Sequence, residues 1–99
     1  MIKSLSVFFP AYNEEKNIQS TIEDAVAVLN TLPLEWEILV INDGSKDSTA
    51  QEVEELIKKY PRVRLINHQG NKGYGGALKT GFAEAKYPWV VFADSDGQF

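Results

Sequence analysis

The chain has 99 residues, 43% hydrophobic and 24% charged, the composition of one small globular domain and not of a disordered chain. Fourteen acidic against ten basic residues give a net charge of −4, which removes the phosphate attraction behind general nucleic-acid binding, so no nucleic-acid partner is expected. Cysteine is absent, excluding disulfide frameworks and thiolate metal sites, and no apolar run approaches the roughly 18 residues of a membrane helix.

The first apolar run, Leu5–Phe9, stops at Pro10. It is too short and wrongly flanked for a secretion signal and predicts a strand. A helix is predicted from about Glu14 to Leu29, because Ile18, Ile22, Val26 and Leu29 step along one face by four, four and three. Asn13 is its expected N-cap, and Glu14 and Glu15 suit the positive end of its dipole. Leu32-Pro33 breaks it, and a second strand follows at Ile38–Ile41. The next helix is expected from about Ser48 to Tyr60, with Val53, Leu56, Ile57 and Tyr60 inward. Asp47 or Ser48 caps it, and Pro61 stops it. The third strand is Val63–Ile66. A third helix runs from about Gly75 to Lys86 with Leu78, Phe82 and Ala85 inward, although Gly76 and Gly81 each weaken it by roughly 1 kcal/mol relative to Ala. Trp89–Phe92 is the last strand.

The strands are short and mostly unbroken rather than alternating, as in a parallel sheet covered on both faces. Their starts lie 25 to 33 residues apart, close to one βαβ unit. The fold class is therefore α/β, a Rossmann-like doubly wound and mostly parallel sheet built as β-α-β-α-β-α-β. With right-handed crossovers, strands 1, 2 and 3 stepping in one direction and strand 4 returning beside strand 1 would give the order 3-2-1-4, with helices 1 and 2 on one face and helix 3 on the other. The order reverses between strands 1 and 4, and ligands of such sheets bind in that crevice, off the strands' carboxyl ends.

Polar residues cluster at those ends. "PAYNEE" after strand 1 offers the Tyr12 ring and the polar tips of Asn13 and Glu14, although taken alone it reads more readily as a proline turn with an asparagine cap. In "INDGSKDST" a capped loop accounts for nearly everything except Asp43. That carboxylate leaves a buried strand without being needed as a cap, and it suits a base or a ribose. In "NHQGNKGYGGALKTGF" the glycines Gly70, Gly73, Gly75 and Gly76 permit close backbone approach, and Lys72 suits a phosphate. The Walker and dinucleotide patterns both fail there, since Phe82 and Leu78 stand where Lys and Gly are required. His68 is expected at the rim rather than as a general base. In "FADSDGQF", Asp94 and Asp96 point the same way from an extended backbone and suit Mg²⁺ or Mn²⁺. Gln98 could add an amide oxygen, and a polar turn is the alternative. The calcium-loop pattern fails, because Phe99 stands where glycine is required.

Taken together, Val7-Phe8-Phe9-Pro10-Ala11-Tyr12-Asn13-Glu14, Val40-Ile41-Asn42-Asp43-Gly44-Ser45, Asn71-Lys72-Gly73-Tyr74-Gly75-Gly76-Ala77 and Asp94-Ser95-Asp96-Gly97-Gln98 resemble, in order, the N-terminal half of a family 2 inverting glycosyltransferase of the GT-A fold. The resemblance covers essentially the whole chain, and "DSDGQF" is most similar to the polyprenyl-phosphate (dolichyl-phosphate) mannose or glucose synthase branch. It implies that Pro10, Ala11, Tyr12 and Glu14 line a nucleotide pocket, that Asp43 meets the base or ribose, and that Lys72 lies near the nucleotide. It further implies that Asp94 and Asp96 bind Mg²⁺ or Mn²⁺, with Gln98 as a third ligand and Asp94 also near the nucleotide sugar. Many relatives carry a second aspartate where this chain has Asn42.

The implied reaction is inverting transfer of a sugar from a nucleotide-diphosphate donor, with a polyprenyl phosphate lipid as the acceptor the branch implies. Residues 1–99 would form the truncated donor-binding part of a GT-A domain, inactive alone, with the general base beyond residue 99. The expected location is the cytoplasm, the parent protein lying at the cytoplasmic face of a membrane. Self-association is expected through the exposed edge of strand 4 or an uncovered sheet face. Two other readings are a nucleotidyltransferase, which would show a glycine-rich basic loop where "PAYNEE" stands, and a non-catalytic nucleotide-binding or interaction module.

Overall fold

The computed structural model describes residues 2–94. Seven elements alternate: β1 (Ser4–Ala11), α1 (Ile18–Leu29), β2 (Glu35–Asn42), α2 (Thr49–Lys59), β3 (Val63–Asn67), α3 (Gly73–Glu84) and β4 (Val90–Phe92). They form one four-stranded sheet in the order β3-β2-β1-β4, every neighbouring pair parallel.

The central strands β1 and β2 supply both cores. Val7, Phe9, Ile38 and Val40 point to the face covered by α1 and α2, where Ile18, Ile22, Val26, Leu29, Val53 and Leu56 complete the larger cluster. Phe8, Leu39 and Ile41 point the other way, against Ala77 of α3. The four apolar positions read in α1 are all buried, and so are Val53 and Leu56 of α2.

Three local expectations are corrected. Helix α1 begins at Ile18, not Glu14. The Glu14 carbonyl accepts from the amides of Asn17 and Ile18, making a turn over residues 14–17, so neither Glu14 nor Glu15 lies in the helix's first turn. Asn13 is no N-cap; it sits at φ +54°, a region asparagine tolerates better than most residues.

Helix α3 begins at Gly73 and buries Ala77 and Gly81, with Leu78 partly buried against the same cluster as expected, whereas Phe82 stands 51% exposed and Ala85 lies past the helix end. A Cβ on Gly81 would stand 2.3 Å from the Phe8 ring, so the helix backbone itself rests on that ring. Phe82 is displaced to the flank, edge-on to Phe8 at 5.1 Å between ring centres. Finally, Trp89 lies outside β4 and is exposed, although its carbonyl accepts the Ser6 amide.

A buried polar knot secures the end of the sheet opposite the carboxyl ends. Glu37 accepts from Ser6 Oγ at 2.6 Å, the Lys86 amide at 2.6 Å and Arg64 Nε at 2.9 Å, while Ser6 Oγ accepts the Tyr87 amide at 3.0 Å. Both the α3–β4 connection and β3 are thereby tied to β1 and β2. Beside β4, an apolar groove of about 460 Å³ opens between α1 and the sheet, lined by Leu5, Val7, Phe9, Ala25, Val28 and Val91 among others. The uncovered apolar groove thus lies on the α1 face, while α3 alone covers the opposite face. Among the described residues the outer edge of β4 has no strand partner.

Candidate functional site

At the carboxyl ends of the strands the loops after β1 and β2 are stitched together by main-chain groups and short polar side chains. The Asn13 amide donates to Ser45 Oγ at 2.9 Å, the Glu14 amide to Thr49 Oγ1 at 2.8 Å, and the Lys46 amide to Asn13 Oδ1 at 2.8 Å. This clasp is what takes Asn13 away from the helix. Ser48 occupies the N-cap position of α2 without using its hydroxyl; the Asp47 carboxylate instead accepts the Thr49 amide at 2.9 Å. Burial pushes the Asp47 carboxyl up, but the hydrogen bonds from Thr49 and the Glu15 amide outweigh it and hold it below the usual aspartate value.

Asp43 follows β2 directly and is 6% exposed at its side chain. Its Oδ1 accepts His68 Nδ1 at 2.8 Å and the Lys72 amide at 2.8 Å, and its Oδ2 accepts the Gly73 amide at 2.9 Å, a donor shared with Asn71 Oδ1 at 2.7 Å. Burial raises the Asp43 carboxyl, but these hydrogen bonds prevail and hold it below the ordinary aspartate range, so it is ionised at neutral pH. His68 is not a rim residue. Its side chain is 4% exposed, with Nε2 2.8 Å from Thr80 Oγ1 on α3. Gly44 allows this packing: at φ +74° its missing Cβ would fall 2.7 Å from the Gly70 carbonyl carbon.

A cleft of about 340 Å³ opens above this platform. Six residues read from the sequence line it, namely Pro10, Ala11, Tyr12, Glu14, Asp43 and Asp94, and they are joined by Asn71, Gly73, Tyr74 and Ala77. Lys72 does not line it. Its amide is given to Asp43, and its stem runs beside Gly76, whose absent Cβ would lie 2.7 Å from Lys72 Cβ. Asp96 and Gln98 lie outside the described residues.

The cleft wall carries three carboxylates and, among the described residues, no lysine or arginine. Hard carboxylate oxygen suits Mg²⁺ or Mn²⁺, and Asp94 offers it at the cleft. Among the described residues no three acidic or histidine side chains converge closely enough to hold a metal. Sequence reasoning missed Tyr74, which lines the cleft together with Tyr12, and the contact between His68 and the partly buried Thr80. The glycine cluster did mark the start of α3 that carries Tyr74, but nothing in the spacing of His68 and Thr80 announces their pairing.

Fold and cleft together define an α/β domain of the GT-A type. The chain belongs to glycosyl transferase family 2, whose sequence profile matches residues 6–99. A dolichyl-phosphate beta-glucosyltransferase of Dictyostelium discoideum is 41% identical over 100 residues, covering 94% of this chain and 31% of that protein. A crystal structure of S. aureus TarS 1–349 in complex with UDP superposes with a TM-score of 0.81 at 31% identity, over 96% of this chain and 28% of that one. A mannosyltransferase from Pyrobaculum calidifontis, solved with GDP-Man and Mn²⁺, shares the fold with a TM-score of 0.80 at 24% identity, over 93% of this chain and 27% of that one. The chain spans about a third of the length of the curated relatives it matches. Within the family, these relatives support the polyprenyl-phosphate sugar synthase branch.

Proposed function

We propose that this chain forms the donor-binding part of a glycosyltransferase that passes a sugar from a nucleotide-diphosphate donor to a polyprenyl phosphate, inverting the anomeric centre. The observation that carries this reading is the cleft itself. It lies at the switch point between β1 and β4 and is lined by Asp43, Tyr12 and Tyr74 among others. Pro10, Ala11, Tyr12, Glu14 and Asp43 are assigned to the nucleotide side and Asp94 to the diphosphate-sugar side. Lys72, exposed beside the cleft, is assigned to a phosphate.

An acidic cleft has no charge of its own with which to hold a diphosphate. Asp94, with Asp96 and Gln98, is assigned to Mg²⁺ or Mn²⁺, which when bound neutralises negative charge on the leaving diphosphate. The TarS relative binds UDP, and the Dictyostelium relative carries dolichyl phosphate in its name; both support the substrate classes proposed here. The acceptor side and the general base are assigned to the part of the relatives that this chain does not cover, and the whole protein to the cytoplasmic face of a membrane. Among the described residues no helix is long and apolar enough to cross a membrane.

Calorimetric titration with UDP and with GDP, each with and without Mn²⁺, tests the site. The expected result is metal-dependent binding that Asp94→Ala and Asp96→Ala each weaken by more than roughly tenfold, the scale of losses at perturbed metal sites. Metal-dependent binding untouched by both changes would sink the assignment.

A further inference from the structure

The carboxylate of Asp43 has about four acceptor positions. His68 Nδ1 and the Lys72 amide take two on Oδ1, and the Gly73 amide takes one on Oδ2. Among the described residues one position on Oδ2 is left for anything that enters the cleft. Because an ionised carboxylate only accepts, His68 must carry its proton on Nδ1, and in the neutral ring Nε2 is then the acceptor for the Thr80 hydroxyl.

Thr80 lies about two turns along α3 from Gly73, on the same side of the helix. Helix α3 is therefore gripped twice from the ends of β2 and β3, by Asp43 at its first amides and by His68 through Thr80 further along. Between the two grips α3 carries Tyr74 and Ala77 into the cleft wall.

We propose that His68 and Thr80 are positioning residues: they hold Asp43 in one orientation and dock α3 so that the last Oδ2 acceptor and the Tyr74 ring face the donor's nucleoside. This rests on the nucleotide reading of the cleft. Neither residue touches the ligand; both act through Asp43 and the α3 backbone.

The test has one arm that needs no ligand. His68 is the sole histidine, so its ring nitrogen signals in an NMR spectrum carry no ambiguity. The wild-type protein is expected to show the Nδ1–H tautomer, and a bare Nδ1 overturns the proposal whether or not any variant folds. Thr80→Val keeps the shape and removes the hydroxyl. It is expected to speed hydrogen exchange at the Lys72 and Gly73 amides and to weaken UDP or GDP binding with Mn²⁺ by roughly three- to tenfold, the size of one buried hydrogen bond. Thr80→Ser is expected to restore both. Unchanged exchange in Thr80→Val overturns the grip on α3. Faster exchange with unchanged nucleotide affinity overturns its role in shaping the cleft. A wild-type protein that binds neither nucleotide, yet shows the tautomer and the exchange effect, overturns the nucleotide reading and leaves the grip standing.

Discussion

Two buried carboxylates stand near opposite ends of β2, and both are held by several donors. Asp43 takes His68 and two amides at the cleft; Glu37 takes Ser6, Arg64 and the Lys86 amide at the far end. In each case burial pushes the carboxyl up, and the hydrogen bonds more than offset it, so each titrates below its ordinary value. A carboxyl depressed by folding stabilises the protein above its unfolded pKa, about 4, and that stabilisation is lost as pH falls through the depressed value. Stability is therefore expected to hold level from neutrality to about pH 5 and to decline below about pH 4, followed by urea midpoints across pH 2–7. Glu37→Ala leaves the Ser6 hydroxyl, the Lys86 amide and Arg64 Nε without their acceptor. A cost of about 2–4 kcal/mol at pH 7 is expected, with a shallower acid decline. An acid decline as steep as the wild type's would show that Glu37 contributes none of it. Neither carboxylate's environment was legible in advance. Asp43 stood out because no cap needed it, but its donors come from residues 25 to 30 positions away, and those of Glu37 from as far as 49.

At the scale of elements, apolar spacing located all seven segments because it depends on local period; the order followed once strand 4 was taken to return beside strand 1, and the chirality of the crossovers then assigned each helix to its face. What spacing misjudged was α3. A helix that packs by its backbone hides its contact face at its smallest residues, so Gly81 looked like a weakness when it is the point of closest approach to Phe8. Two alanine substitutions separate these meanings. Gly75→Ala meets open space at an ordinary φ and is expected to gain up to about 1 kcal/mol from helix propensity. Gly81→Ala makes the same propensity gain but drives a methyl to 2.3 Å from an aromatic ring that is fully buried. Overpacking of that kind costs about 1–3 kcal/mol, and the short distance argues for the upper end, so a net loss of about 1–2 kcal/mol is expected. Thermal melts of the two variants beside the wild type decide it; a Gly81→Ala protein as stable as Gly75→Ala would mean that α3 does not rest on Phe8. The start of α1 was misjudged for a related reason. Asn13 has the chemistry of a cap, but the neighbouring loop claims its side chain through the Lys46 amide, a contact 33 residues away that no local pattern contains.

For the molecule as a whole, the strand order decides which surfaces are left open. β1 and β2 are covered on both sides, whereas β4 contributes three residues at the margin, with Val91 48% and Phe92 42% exposed. On one face Phe92 stacks on Phe8 at 5.5 Å and meets Phe82 at 6.0 Å, forming a small aromatic cluster with a wet rim. On the other, Val91 borders the groove beneath α1, where Val28 is 61% and Leu32 41% exposed. A groove lined mostly by aliphatic side chains and continuous with a strand edge that is unpaired among the described residues favours association, since burying it removes apolar surface from water and pairing the edge satisfies its amides. We therefore expect weak, concentration-dependent self-association, measured as a rising weight-average mass in sedimentation equilibrium. Val28→Glu places a charge at the groove without touching the buried stripe of α1, and it is expected to lower the association while leaving the thermal midpoint nearly unchanged. Adding Lys at Val91, on the edge strand itself, should act in the same direction. A wild-type protein that stays monomeric at the highest attainable concentration contradicts the idea directly. Association that persists undiminished in both variants would move the contact away from the α1 groove, leaving the aromatic cluster of Phe82 and Phe92 as the surface to alter next.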